Sequence, residues 1–342
     1  MGLAQTDNAY YQYPPLGDED WGYVFQTAAI RALETHMLAR STLVDMASAD
    51  SFASAVELLS GTDYAALTGA KDLGEVERVL QEKRVQLRRL LAEMRFDEDL
   101  QSLLAARYDF ANLRLAVRRI VTERPVGRDY SDLGNVPAEE LGAALEAEDY
   151  SRLPAHMRQG IEAAVLAYYA AKDIRQIDYA LDAFEMAYSI ERAEELGSTF
   201  LVSLFRLQVD LTNIRTMLRL KMADRLERDR FLPGGFLPAE RFVHSLDLVY
   251  EAIAPLFAST PYDEVVEAGV SYWMAEQSFL RLERACDEYV LGYLRQTTQI
   301  GVGPQPVVAF FLAKEHEIRS VRLILTAKRN SLDTKLILDR VA

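Results

Sequence analysis

The chain has 342 residues, half of them hydrophobic and 26% charged, enough apolar mass for sizeable cores and far from the composition of a disordered chain. Fifty-two acidic against 38 basic residues leave a net charge of -14, which argues against nucleic acid as a partner. The single cysteine, Cys286, excludes an intramolecular disulfide and a cysteine-based zinc site, and points to a reducing compartment.

Residues 1–21, rich in Tyr, Pro and acids, read as an N-terminal tail without the basic and then apolar pattern of a secretory signal. The longest apolar runs, Ala163 to Ala171 and Val307 to Ala313, fall short of the ~20 residues that span a bilayer. A cytoplasmic chain is expected, with no membrane span of its own; work at a membrane would require other proteins to hold it there.

From residue 22 onward the sequence copies itself. Residues 22–127 carry Val76-Glu77-x-x-Leu80 and, 32 residues after the acid, the box Asp109-Phe-Ala-Asn112-Leu113-Arg114. Residues 128–230 carry Ile177-Asp178-x-x-Leu181 and the box Asp210-Leu-Thr-Asn213-Ile214-Arg215, 101 residues after the first box. Residues 231–342 carry Leu282-Glu283-x-x-Cys286 and a looser box, Glu317-Ile-Arg-Ser320-Val321-Arg322. A further element, Gly134-Asn-Val-Pro137-Ala-Glu139, recurs at the same offset as Gly235-Phe-Leu-Pro238-Ala-Glu240, and the first unit lacks it. A period near 100 residues is too long for a short-repeat helical adaptor, whose units run ~34 to 47 residues.

The apolar residues follow a helical period, so the fold class expected is all-α. In the second unit Ile174, Ile177, Leu181, Phe184 and Tyr188 form one seam, and Leu204, Leu207, Leu211, Ile214 and Leu218 another. Gly197 and Gly301-Val-Gly-Pro304 punctuate the paired seams of the second and third units, while Phe96-Asp97-Glu98 marks a weaker break in the first. Pro137 and Pro238 are expected in the first turn of a short helix, with Glu139 and Glu240 favouring its N-terminus. Each unit is thus a helical hairpin.

With apolar residues at a and d, Glu77, Asp178 and Glu283 fall at e on the first helix of each hairpin, and Arg114, Arg215 and Arg322 at e on the second. Residues equidistant from a turn stand level, and the midpoints of the three acid–arginine pairs all fall in the loops. The spacing therefore predicts ion pairs within each hairpin: Glu77 with Arg114, Asp178 with Arg215, Glu283 with Arg322. A catalytic reading of these acids is weaker, because each has an arginine placed to lower its pKa and no His or nucleophile recurs beside it. Asn112 and Asn213 read as helix caps or bridges, Asp109, Asp210, Glu317 and Ser320 as further polar members of the box.

The scattered His36, His156, His244 and His316 form no metal-ligand spacing, and the glycines at 301 and 303 belong to no phosphate loop. Cys286 reads as core. Basic residues gather at the unit ends: Arg114, Arg118, Arg119, Arg124 and Arg128; Arg215, Arg219, Lys221, Arg225, Arg228 and Arg230; Lys328, Arg329, Lys335 and Arg340. Helix-dipole compensation and solvation are one account of them, contact with an acidic partner another. No catalytic residue, cofactor, metal or small-molecule substrate is indicated.

On these boxes, on Gly234-Gly235 and on the closing segment Ala313-Lys-Glu-His-Glu-Ile-Arg-Ser-Val-Arg322, the chain from about Tyr23 onward resembles the C-subunit family of archaeal and bacterial V/A-type ATPases, whose eukaryotic relative is the d subunit. The resemblance implies three similar helical domains in a pseudo-threefold funnel. It also implies a non-catalytic central-stalk connector whose partners are the D and F subunits of the rotor shaft and the proteolipid ring. Residues 1–21 lie outside it, and Ser320 stands where the first two boxes have Asn. A helical-repeat scaffold and an all-helical enzyme are the alternatives; the latter requires convergent His and acids in a pocket.

Overall fold

The computed structural model describes residues 13–124, 130–225 and 227–341; residues 1–12 of the tail and Arg128 of the first basic cluster lie outside it. Among the described residues there are fifteen α-helices and no strand. By compactness they form two units. The first takes the described residues up to Met94, Ile214–Arg225 and those from Arg241 on; the second takes Arg95–Asn213 and Glu227–Glu240. Neither unit coincides with one sequence repeat.

The first unit opens with α1 (Val24–Glu34), α2 (Arg40–Ser48), α3 (Phe52–Glu57) and α4 (Leu73–Glu93). The second contains α5 (Glu98–Val121), α6 (Ala138–Glu146), α7 (Ala155–Ala171) and α8 (Arg175–Glu195). The helices α9 (Thr199–Met222) and α10 (Ala239–Asp247) contribute to both. The first unit is completed by α11 (Tyr250–Phe257), α12 (Asp263–Glu276), α13 (Leu280–Arg295), α14 (Pro304–Arg329) and α15 (Thr334–Val341).

Local chemistry sets the helix ends. Asp72 and Asp97 cap α4 and α5, each carboxylate accepting from a backbone N–H three residues on at 2.9 Å. After α8, Gly197 takes φ +64°, Ser198 N–H donates to the Ala193 carbonyl at 3.0 Å and Gly197 N–H to that of Glu194, a Schellman stop. In the first repeat Arg95, at φ +49°, and the Asp97 cap do the work that glycine does at 197. Pro304 opens α14 at its first turn. Pro137 stands one place earlier than the sequence suggests, as the residue before α6, with Glu139 and Glu140 in the first turn.

Two apolar clusters show how repeats share cores. In the second unit, Phe110, Leu113 and Val117 of α5 pack with Leu141, Met157, Ile161, Ile177 and Leu181 of α6 to α8. In the first, Ile318, Val321, Ile324 and Leu325 of α14 pack with Met46, Val56, Leu67, Val76 and Leu80 of the α2 to α4 region. The box-bearing helix of the first repeat thus completes the core of the second, and that of the third completes the core of the first. Burying each such Leu or Ile contributes ~1.5–3 kcal/mol.

Candidate functional site

The geometry common to the three repeats is carried by their polar boxes. Asp109 is buried on α5 and accepts from the backbone N–H of Asn135 at 3.0 Å and of Val136 at 3.1 Å. One repeat later, Asp210 accepts from Phe236 N–H at 2.9 Å and Leu237 N–H at 3.1 Å. These donors lie at the entries of α6 and α10. Glu317, also buried, accepts from Leu38 N–H at 2.6 Å, two residues before α2, and from the Tyr64 hydroxyl at 2.8 Å. Lys314 Nζ lies 2.7 Å from the same carboxylate. The first repeat therefore has its own clamped entry, although no Gly-x-x-Pro motif announces it.

The asparagines act beside the acids. Asn112 receives the Ser131 N–H on its amide oxygen and donates its amide to the Ser131 carbonyl, both at 2.8 Å. Asn213 does the same to Leu232, at 2.7 and 2.9 Å. Each side-chain amide thus pairs with one backbone unit 19 residues on, bridging helix to loop. Ser320, buried at the third position, makes no such clasp among the described residues. A cavity of about 550 Å³ lies there, its wall including Met37, Leu38, His316, Glu317 and Ser320.

The clamp needs bare backbone. A Cβ on Gly134 would stand 2.1 Å from Asp109 Oδ1, and one on Gly235 2.1 Å from Asp210 Oδ1. Gly142, inside α6, has open space around it. Gly235→Ala is therefore expected to lower stability by ~1–3 kcal/mol through a displaced buried carboxylate, whereas Gly142→Ala should raise it by ~0.5–1 kcal/mol. Chemical denaturation of the two variants measures both signs.

The six charged residues singled out by spacing are ion-paired, but in a combination that corrects the predicted one. Arg114 Nε lies 3.5 Å from Asp178, Arg215 Nε donates to Glu283 at 2.9 Å, and Arg322 pairs with Glu77. Each arginine thus meets the acid of the next repeat instead of its own. Distance from a turn fixes only height along the helices, and repeat equivalence gives Asp178 the same height in its helix as Glu77. An e position flanks the seam, so packing decides which neighbouring helix it faces.

Spacing also missed members one turn away. Arg118 joins Asp178, and Arg114 additionally contacts Asp182 and, at 3.7 Å, Glu185. Arg219 donates to Glu283 at 2.7 Å, Asp287 lies 3.5 Å from Arg215, and Arg340 donates to Asp287 at 2.7 Å. The i+4 recurrence of Arg114/Arg118 and Arg215/Arg219 opposite Asp178/Asp182 and Glu283/Asp287 was available as a signal. The third seam is thinner and wetter: the Arg322 and Glu77 side chains are 55% and 42% exposed, against 22% for both Arg215 and Glu283.

Much of the basic charge at the unit ends is consumed within the chain. Lys221 Nζ donates to the Leu246 carbonyl at 2.8 Å, Arg230 to Gln176 at 2.7 Å, and Lys335 to Glu276 at 2.8 Å. Burial pushes the Cys286 thiol up to about 12 and the His316 imidazole down to about 4, so both are neutral near pH 7. Among the described residues no group of three or more His, Cys, Asp and Glu side chains is arranged to hold a metal ion.

Glu185 is the most perturbed carboxyl of the seam. Burial raises it from 4.5 to about 7; Arg114 opposes the rise and Asp182 adds to it. The fold therefore favours the protonated form. The stability associated with that form is complete below about pH 4.5 and is lost as pH rises through about 7. Glu185→Gln, a neutral mimic, should gain on the wild type across this window, by ~1–3 kcal/mol at pH 8. Melting temperatures at pH 5 and pH 8 provide the comparison.

Residues 26–340 match the family model of the ATP synthase (C/AC39) subunit. The chain is 24% identical to the C subunit of the V-type sodium ATPase of Enterococcus hirae, over 91% of this chain and 95% of that one. It is 22% identical to the C subunit of the A-type ATP synthase of Thermococcus kodakarensis, over 92% and 89%. To the C subunit of the V-type ATP synthase of Thermus thermophilus it is 27% identical, over 82% and 85%.

Proposed function

Because the chain belongs to the ATP synthase (C/AC39) subunit family, we propose that it is the central-stalk connector of a V/A-type rotary ATPase, joining the D and F subunits of the shaft to the membrane proteolipid ring. It transmits torque for ATP-linked ion transport and performs no chemistry itself. In this reading the repeats at 22–127, 128–230 and 231–342 stand in pseudo-threefold order around a funnel that receives the shaft. The chain sits peripherally on the cytoplasmic side; no helix among the described residues is long and apolar enough to cross a membrane.

The observation that carries the proposal is the cyclic order of the contacts. Asp109 clamps the entry of α6 in the second repeat, Asp210 that of α10 in the third, and Glu317 the approach to α2 in the first. The ion pairs run in the same order, from Arg114 to Asp178, Arg215 to Glu283 and Arg322 to Glu77. A set of links in which last returns to first is what a closed three-part socket requires, and multiply braced links suit a part that carries torque.

Co-expression of the tagged chain with its host's other rotary subunits tests the reading. Affinity purification in mild detergent should recover shaft and proteolipid subunits with it. Recovery of a lone monomer that retains none of them would defeat the proposal.

A further inference from the structure

The segment leading into α1 is fastened to the turn between α13 and α14 and leaves an apolar stripe uncovered. Tyr13 packs against Tyr289 with ring centroids 5.1 Å apart, and Tyr293 donates to the Pro15 carbonyl at 3.1 Å. Gln305 donates to the Asp18 carbonyl at 2.7 Å, Gly301 N–H to the Glu19 carboxylate at 2.7 Å, and Asp20 N–H to the Val302 carbonyl at 3.0 Å. Thr27 and Ile30 turn the inner face of α1 into the protein. On the outer face Trp21 is 74% exposed, Phe25 68% and Val24 48%, and Ala28 and Ala32 continue the exposed row. Positions 21, 24, 25, 28 and 32 follow the spacing of one helix face built to pack on another helix.

We propose that this stripe docks a basic, apolar-faced helix of another protein of the host complex. The proposal rests on the connector reading and assigns it a contact surface outside the repeated boxes. Charge selects the occupant. Asp18, Glu19 and Asp20 are exposed at the head of the stripe. Arg31, the first basic residue along the chain after these acids, is held by Glu34 and by the carbonyls of Thr297 and Ile300. An anionic lipid surface would meet three consecutive exposed acids at the head of the stripe, a like-charge contact. A second copy in a twofold contact would bring the same acids face to face. Residues 1–12 contain no Lys or Arg to answer them. A helix with Leu-class residues along one face and Lys or Arg at its flank satisfies both parts of the patch.

The test uses the full chain with Trp273→Phe, which leaves Trp21 as the sole tryptophan, assembled with the purified shaft and proteolipid subunits. Trp21 emission is expected to shift to the blue on assembly, and Trp21→Ser/Phe25→Ser in the wild-type background should weaken assembly about ten-fold while leaving the melting temperature of the isolated chain unchanged. Unaltered Trp21 emission on assembly, or an unaltered affinity of the double variant, overturns the docking surface and leaves the connector reading standing. Binding of the wild type, but not the double variant, to phosphatidylglycerol vesicles overturns it in favour of a membrane contact. A wild-type chain that joins neither shaft nor ring overturns both.

Discussion

Asp210→Ala is expected to lower the unfolding free energy by ~2–4 kcal/mol, the largest loss from a single truncation at the boxes. The carboxylate is fully buried and satisfies the N–H groups of Phe236 and Leu237. Alanine removes the acceptor without admitting a substitute, so two backbone donors at the entry of α10 lose their partner. Asp210→Asn should recover part of the loss, because the amide oxygen still accepts one bond while its NH₂ meets a donor. Asp109→Ala should behave alike. Denaturant titration reads the series, and equal stability of Asp210→Ala and wild type would rule out the clamp as a source of stability.

Charge reversal at Arg215 should cost ~2–4 kcal/mol, whereas the same change at Arg322 should cost less than about 1 kcal/mol. Arg215→Glu places a third carboxyl against Glu283 and Asp287 in a mostly shielded seam. Burial alone would lower the Arg215 pKa; negative neighbours, Glu283 and Asp287 among them, outweigh it and raise the pKa, so the cation is the form the fold selects. At the third seam water reaches both partners, and screening removes most of the penalty. Glu283→Arg combined with Arg215→Glu should restore only part of the stability, since Arg219 also donates to Glu283. A double-mutant cycle on thermal midpoints apportions the terms.

The all-helical class and the breaks near 96–98, at 197 and at 301–304 were legible because they rest on local signals: heptad spacing, the Asp97 cap, the glycine at 197 and proline at 304. The identity of the charged residues was legible for the same reason. Their partners were not, because sequence fixes the height of Arg114 on its helix while tertiary packing decides that Asp178 lies beside it. The tasks of Asp109 and Asn112 were hidden for a different cause. Their partners are backbone groups in a loop 19 to 27 residues on, and any residue type supplies those. The entry at Leu38 was least visible of all, since Glu317, 279 residues away, receives its N–H without a glycine or proline to mark the place.

The dependence of the α2–α4 core on α14 has a consequence for biosynthesis. Val76 and Leu80 find their apolar neighbours Ile318 and Val321 only after nearly all of the chain has been made. During translation the N-terminal helices therefore leave the ribosome with an apolar face uncovered, while the α5–α8 core, whose parts lie close together in sequence, can assemble first. Nascent chains stalled before residue 304 should accordingly bind holdase chaperones through their first repeat and release them once α14 emerges.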